Sequence, residues 1–165
     1  MPDLLQVVPW QSQHLKGCIE VFKSNLPEYF AEHELAEFIE FLHDLSQAPE
    51  DLKYWVVTAG EEKPVVVACG GTWINRKKKI NQGNPAYLIW GMVDKAMHRK
   101  GIGSVLLNAR IEALTGTASV IQLDTTPLSF PFYQKSGFVQ TDFEKDGYEP
   151  GLDKIFAELA LPGNG

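Results

Sequence analysis

The sequence predicts an α/β fold for residues 1–165, a single domain whose mixed, mainly antiparallel central sheet is flanked by helices. Short apolar runs rich in β-branched and aromatic residues alternate with segments whose apolar residues recur every three or four positions. One such run, residues 87–93, leads through a glycine pair into a helical segment. No repeat or linker divides the chain, and 165 residues suit one domain with a full core.

The strands and the first two helices follow from these periodicities. Strands are predicted at 4–9, 54–59, 65–74, 87–93, 120–125, 138–142 and 153–161, with the last two forming an antiparallel closing pair. Residues 14–25 form a helix that Pro27 ends. In the second helix, glutamates including Glu34 lie away from the apolar stripe, which consists of Leu35, Phe38, Ile39, Leu42 and Leu45.

The later elements are a long helix, a short turn or helix, and a tail. The long helix follows Gly101, and its apolar stripe is assigned to Ile102, Val105, Leu106, Ala109 and Leu114. Asn108, Arg110 and Glu112 are expected to point elsewhere. Two prolines frame a short turn or helix at 127–136, and residues 162–165 are expected to fray.

Composition excludes several classes of protein. No apolar run is long enough for a membrane span, and residues 1–3 lack the start of a signal peptide, so we expect a cytoplasmic protein without a membrane partner. A net charge of −6 opposes nucleic-acid binding, and the basic residues 76–79 are interpreted as a solvated turn. Cys18 and Cys69 lack metal-ligand spacing, so we expect buried free thiols and no metal.

Gly101 and Gly103 open the long helix and predict an anion site. Glycines allow a ligand close to the backbone, and the first N–H groups of a helix have no partner within it. The helix dipole and the neighbouring Arg99 and Lys100 favour a phosphate group there, and a pyrophosphate in particular. Leu106 replaces the third glycine of a dinucleotide fingerprint, and a Gly-Lys-Ser/Thr motif is absent. The alternative is that the two glycines belong to a loop that only connects a strand to a helix.

A second stretch, residues 123–138 with the sequence LDTTPLSFPFYQKSGF, adds family information. Val93 followed by HRKGIG at 98–103, and then Tyr133-x-x-x-Gly137-Phe138, together resemble the GNAT superfamily of acyl-CoA-dependent N-acetyltransferases. In that family a strand ending in Val precedes Gln/Arg-x-x-Gly-x-Gly/Ala, and Tyr-x-x-x-Gly-Phe follows. The resemblance covers residues 87–138.

This resemblance implies acetyl-CoA as the co-substrate, with no metal. It implies that the pantetheine arm lies along Gly91, Met92 and Val93. The pyrophosphate would lie on Arg99, Lys100, Gly101, Ile102, Gly103 and Ser104. Thr126 stands where many members carry a cofactor-contacting Asn, and its hydroxyl can donate one hydrogen bond. His98 stands where the family usually has Gln or Arg.

The resemblance also implies chemistry for Tyr133, which would contact the cofactor and act as general acid. A phenol keeps its proton at neutral pH and can give it to a departing thiolate. The alternative is that Tyr133 only packs against the cofactor or the sheet and donates no proton. The competing function is a non-catalytic acyl-CoA-binding sensor or structural module.

The acceptor is expected to be a primary amine of a small molecule or peptide that attacks directly. In folds of this kind the segment between the first two helices overhangs the acceptor site, so Tyr29, Phe30 and Glu34 are candidate substrate contacts, together with Tyr87. Aromatic residues there are also explained by packing. The general base is left open among Tyr87, Asp124 and Glu34, and a homodimer is left open too.

Overall fold

The computed structural model describes residues 4–162, whose strands form one seven-stranded sheet in the order β1-β2-β3-β4-β5-β7-β6. The strands are β1 (Leu5–Pro9), β2 (Leu52–Ala59), β3 (Val65–Ile74), β4 (Pro85–Val93), β5 (Val120–Thr125), β6 (Val139–Glu149) and β7 (Leu152–Ala160). The helices are α1 (Leu15–Ser24), α2 (Glu34–Asp44), α3 (Ile102–Leu114) and α4 (Phe130–Gln134). Short 3₁₀ turns occupy Ser12–His14, Leu45–Gln47 and Lys95–Met97. None of the helices within residues 4–162 is long and apolar enough to cross a membrane.

The sheet is mixed and mainly antiparallel, as the sequence predicts, because β4 and β5 form its parallel pair while the other neighbouring strands are antiparallel. The predicted strand at 138–142 is too short, since β6 continues to Glu149. Most side chains of β6 are exposed, so no apolar alternation marks its second half. Backbone pairing with β7 holds this edge strand instead. Of the predicted tail at 162–165, residues 163–165 lie outside the described residues.

The helices cover both faces of the sheet. Buried side chains of α1 and α2 pack on one face with Tyr54, Val56, Cys69 and Met92. On the other face, α3 packs against two clusters of sheet residues, and Phe138 joins one of them. Cys18 and Cys69 are buried free thiols, as predicted.

The apolar stripe predicted for α3 is wrong at Val105 and Arg110 and leaves out the buried Leu107. Val105 is 39% exposed, whereas Arg110 is only 2% exposed. The residues that α3 buries are Ile102, Leu106, Leu107, Arg110 and Leu114. The prediction placed apolar residues on the buried face of α3 and polar residues on its exposed face. The buried Arg110 does not follow this rule.

A bulge in β4 changes which side chains face each helical layer. Two β4 residues, Trp90 and Gly91, oppose one β3 residue between the paired positions Cys69–Met92 and Gly71–Ile89. Trp90 has φ 44°. Leu88 therefore packs in the α3 layer, whereas Met92, four residues later, packs with α1 and α2. In an unbroken strand both side chains would share one face.

β4 and β5 stay together only over their first residues. Pro85, Ala86 and Tyr87 pair with Val120, Ile121 and Gln122, and no pairing between the two strands follows. The strands diverge beyond that point, so the middle of the sheet is open where the candidate site lies.

Candidate active site

A cavity of about 800 Å³ occupies the gap between the diverging halves of β4 and β5. The first turn of α3, the end of β5, α4, and the segment joining α1 to α2 complete its walls. The following residues predicted from the sequence line it: Tyr29, Phe30, Glu34, Gly91, Met92, Val93, Arg99, Gly101, Gly103, Ser104, Asp124, Thr126 and Tyr133. Residues distant in sequence therefore surround one space large enough for a small-molecule ligand.

Three predicted site residues are not among those that line the cavity. Tyr87 stacks on Trp73 with ring centroids 5.3 Å apart, in the part of β4 that is still paired with β5. Tyr87 therefore lies outside the cavity lining, and this position does not support the prediction that it contacts the acceptor or acts as base. Lys100 is exposed, and the side chain of Ile102 is buried in the core under α3. Ile102 can contribute only its backbone N–H group to a ligand.

The turn before α3 has the backbone of an anion site. Arg99 has φ 65° and Gly101 has φ 81°, so the chain makes a turn there before the helix begins at Ile102. No side chain caps this helix, and its first turn contains no acidic residue. The N–H groups of the first turn therefore face the cavity end without a side-chain acceptor, and the helix dipole adds positive potential.

His98 stabilises this turn through a hydrogen bond to the end of β4. Its Nε2 lies 2.9 Å from the carbonyl oxygen of Val93, so this nitrogen carries the proton and donates. The ring of Tyr29 meets the ring of His98 edge-on, with centroids 5.1 Å apart. The imidazole thus connects the turn to the end of β4.

Side chains satisfy the β4 carbonyl groups along the cavity. The Tyr54 hydroxyl donates to Trp90 O at 2.8 Å, and Arg110 Nη2 donates to Ile89 O at 3.3 Å. The buried amide of Asn25 donates to Val93 O at 2.9 Å. Because buried carbonyl groups need donors, these side chains hold the bulge in place after β5 has diverged. Sequence reasoning missed Asn25 and Tyr54, which carry no local motif.

The Tyr-x-x-x-Gly-Phe motif has a structural explanation. Tyr133 lies on α4, and Gly137 has φ 102°, a conformation that turns the chain from this helix into β6. Phe138 is 1% exposed, and its ring meets the Tyr133 ring edge-on at 5.7 Å. The motif therefore anchors α4 in the core and fixes the phenol ring in the cavity wall.

Thr126 and Ser129 form the wall next to Tyr133. The Thr126 hydroxyl accepts a hydrogen bond of 3.3 Å from the Ser129 N–H, and both residues line the cavity. The hydroxyl proton of Thr126 is still available to a ligand. Ser129 was not predicted as a site residue.

The opposite end of the cavity is acidic. The Tyr148 hydroxyl donates to Asp124 Oδ2 at 2.5 Å, and burial, followed by the charge of Asp124, raises the pKa of Tyr148. Glu34 Oε1 accepts the Ala31 N–H at 2.9 Å, and burial raises the pKa of Glu34, although the Ala31 hydrogen bond opposes this shift. Tyr148 was missed because it lies on the half of β6 that the sequence does not mark.

No group of three or more His, Cys, Asp or Glu side chains within residues 4–162 is arranged to hold a metal ion.

The Acetyltransferase (GNAT) family matches residues 18–138. Acetyl-CoA-bound NAA60 of Arabidopsis thaliana is similar in structure, with 14% identity over 97% of this chain and 100% of that one and a TM-score of 0.74. The ribosomal-protein-S18-alanine N-acetyltransferase of Escherichia coli has 16% identity over 98% of this chain and 97% of its own, with a TM-score of 0.73. A GCN5-related N-acetyltransferase of Kribbella flavida has 16% identity over 95% and 98%, with a TM-score of 0.74. No curated protein matches the sequence. Since the family match spans most of the chain and the fold agrees, the protein belongs to the GNAT family of acetyltransferases.

Proposed function

We propose that the protein transfers an acetyl group from acetyl-CoA to a primary amine of a small molecule or peptide, with Tyr133 as general acid. The observation that carries this proposal is that one cavity joins the uncapped first turn of α3 to Tyr133 and to the acidic end. One ligand can therefore reach the anion-binding turn and the phenol at the same time. NAA60, one of the similar structures, was solved with acetyl-CoA.

The residues of the cavity fit acetyl-CoA. The N–H groups of the first turn of α3 and the Arg99 guanidinium suit the pyrophosphate, and Gly101 has open space around the position of a Cβ atom. Gly91, Met92 and Val93 line the route from this turn along β4, where the pantetheine arm would lie. When bound, acetyl-CoA supplies an activated acyl carbon and a thiolate leaving group.

In the proposed reaction Tyr133 donates one proton, and a base at the acidic end accepts another. Tyr133 gives its hydroxyl proton to the sulfur as the carbon–sulfur bond breaks, and a base removes a proton from the amine as the carbon–nitrogen bond forms. Asp124 and Glu34 are the predicted base candidates that line the cavity. Asp124 is oriented by the Tyr148 hydroxyl, whereas Glu34 already accepts the Ala31 N–H.

The residues that line the cavity also indicate the chemical class of the acceptor. Two carboxylates favour the approach of a protonated amine, which loses one proton to solvent before it attacks. Tyr29 and Phe30 add aromatic surface beside the carboxylates. Phe30 also stacks on Phe22 at 4.6 Å, so its ring is held in place before a substrate arrives.

Thiol release from acetyl-CoA, measured against amines, amino acids, polyamines, aminoglycosides and peptides, tests the function. The Tyr133→Phe variant should lower kcat by about 10² to 10⁴ with the best acceptor, because general acid catalysis is worth that much. The KM for acetyl-CoA should change little, since the hydroxyl acts when the thiolate departs. Tyr87→Phe, which removes a hydroxyl outside the cavity, is the matched control and should retain turnover.

Two results would contradict the proposal. Tight acetyl-CoA binding with no thiol release for any acceptor would favour the sensor function. An unchanged kcat in Tyr133→Phe, with a productive acceptor, would leave Tyr133 a packing residue.

A further inference from the structure

Arg110 places a positive charge inside the apolar face of α3. It is 2% exposed, and the leucines one helical turn before and after it are buried as well. Burying a guanidinium is costly unless another charge or several hydrogen bonds compensate. The salt bridges within residues 4–162 involve Arg76 and Lys95, so Arg110 has no carboxylate partner there. Asp124 and Glu34, the acidic residues that line the cavity, bond to other groups.

Hydrogen bonds to two strands use part of the guanidinium group. Nε and Nη2 donate to Gly71 O at 3.1 and 3.0 Å, and Nη2 also donates to Ile89 O at 3.3 Å. These bonds fix the guanidinium plane between β3 and the bulged part of β4. The two N–H groups of Nη1 are left without a carbonyl or carboxylate acceptor among residues 4–162. One nitrogen of a buried cation is therefore free for a ligand.

Nη1 lies next to Gly91 and is open to the cavity. Arg110 is one of the residues that line the cavity. In the part of the chain that the structure describes, the buried side-chain polar atom that is sealed off without a hydrogen-bond partner is Trp10 Nε1, not Nη1. A Cβ atom on Gly91 would lie 2.6 Å from Nη1, so any side chain there would displace the guanidinium. The glycine thus lets the cation reach the cavity wall at the bulge.

The surroundings of Nη1 suit a short acyl chain. In the proposed function the pyrophosphate lies at the turn after β4 and the pantetheine arm lies along residues 91–93, so the thioester end would come to Gly91. Leu88, Leu107 and Leu123 also line the cavity, and they belong to the apolar cluster on the α3 side of the sheet. Apolar walls beside a cation fit methylene groups that end in a carboxylate.

We infer that the cavity also binds acyl-CoA thioesters whose acyl group ends in a carboxylate, and that Arg110 Nη1 donates its two N–H groups to that carboxylate. This inference rests on the proposed function, which places the thioester end at Gly91. A carboxylate supplies the negative charge that Arg110 lacks within residues 4–162. Hydrogen bonds between ionised groups are stronger than those between neutral groups, whereas a methyl-ended acyl group offers Nη1 no acceptor.

Transfer of such an acyl group follows the same chemistry as acetyl transfer. The amine nitrogen forms a bond to the thioester carbon, and the electron pair of the carbon–sulfur bond goes to sulfur, which gains a proton. The carboxylate takes no part in bond making. The product is an amide that carries this carboxylate, so a cationic amine becomes an anionic product.

Matched pairs of acyl-CoA thioesters test the inference by binding alone. Malonyl-CoA is paired with propionyl-CoA, and succinyl-CoA with butyryl-CoA, so that within each pair a carboxylate replaces a methyl group at the same chain length. Isothermal titration of the parent protein should show at least about tenfold tighter binding of the carboxylate member in one pair or both. Equal affinities within both pairs, or tighter binding of both methyl-ended members, would overturn the inference.

Substitutions at Arg110 separate carboxylate binding from a purely structural clamp. Arg110→Gln removes the charge but keeps N–H donors for the Gly71 carbonyl. It should reduce the preference to within about twofold and change the affinity for the methyl-ended member by less than about threefold. Arg110→Lys keeps the charge and should retain part of the preference. Glu112→Gln, at an exposed position of the same helix, is the matched control and should retain all of it.

A structural clamp predicts a different result. If Arg110→Gln keeps the parental preference, or weakens both members of a pair equally, Arg110 only holds the two strands and the inference is overturned. Should Arg110→Gln fail to fold, Arg110→Met, which removes the charge with a longer apolar side chain, gives the same comparison.

Failure of the inference and failure of the proposed function are distinguishable. Acetyl transfer without a preference for carboxylate-ended thioesters would overturn the inference and leave the proposed function intact. A preference that depends on Arg110, with no acylation of any tested amine, would support the inference and contradict the proposed function.

Discussion

At the residue scale, Glu34 lies away from the apolar stripe of α2, and the sequence also makes it a candidate substrate contact. It lies in the first turn of α2 with Glu37, which is exposed, yet Glu34 lines the cavity. The pKa of Glu34 is raised above 4.5, first by burial. Ionising it therefore opposes folding, and its protonation state links stability to pH.

Glu34→Gln is expected to stabilise the protein at neutral pH and to have less effect in acid. The folded state holds the proton of Glu34 more tightly than the unfolded state, so the free energy of unfolding falls as pH rises from about 4.5 through the raised pKa. Glutamine removes this dependence and can still accept the Ala31 N–H. Urea unfolding of parent and variant across this pH range measures the difference. Glu37→Gln, in the same helical turn, is the control, and an equal difference at every pH would refute the assignment.

At the element scale, α3 combines an uncapped first turn, the candidate anion site, with a buried core face. Its first turn lacks a side-chain cap, and four of its five buried residues are aliphatic. The hydrophobic face anchors the helix, so the N–H groups at its start have a fixed direction. A ligand held there is consequently positioned relative to β4.

Gly103→Val is expected to weaken acetyl-CoA binding by about tenfold or more. A Cβ atom at Gly103 would lie 3.2 Å from the Phe132 ring and 3.6 Å from Val93, both in the cavity wall, so a branched side chain must displace the wall or the ligand. Asn108→Val adds a similar side chain at an exposed position of the same helix and should leave affinity unchanged. Isothermal titration with acetyl-CoA compares the two. Parental affinity in a folded Gly103→Val protein would mean that the pyrophosphate binds elsewhere.

At the scale of the whole molecule, the separation of β4 from β5 creates the cavity of the candidate site. The divergence leaves a seven-stranded sheet open at its centre, and a ligand there contacts elements from both halves of the chain. Ligand binding should therefore stabilise the fold as a unit.

Acetyl-CoA at a hundredfold excess over its Kd should stabilise the protein by about 2.7 kcal/mol. For a domain of this size, that corresponds to a rise in Tm of roughly 5–10 °C. Differential scanning fluorimetry with acetyl-CoA, CoA and pantetheine measures it, and pantetheine should act more weakly because it lacks the pyrophosphate. The cofactor assignment fails if neither acetyl-CoA nor CoA changes Tm.

The features of this protein that depend on local chemistry could be predicted from its residues. Strands such as Val120–Thr125 and Val65–Ile74 have the predicted bounds because their β-branched runs are locally unambiguous. The uncapped turn at Gly101 and the motif from Tyr133 to Phe138 were also visible, since glycines and first-turn N–H groups act within a few residues.

Contacts between residues that are distant in sequence could not be predicted in this way. The carbonyl groups of β4 around the bulge at Trp90 accept hydrogen bonds from Asn25, Tyr54 and Arg110, which lie far apart in the sequence. Residue type predicts solvent exposure for Arg110, but two glycines on adjacent strands and three carbonyl hydrogen bonds make its burial feasible. The spacing of apolar residues predicts which face of a single helix or strand packs against the core. These contacts form between different elements, and no local sequence pattern predicts them.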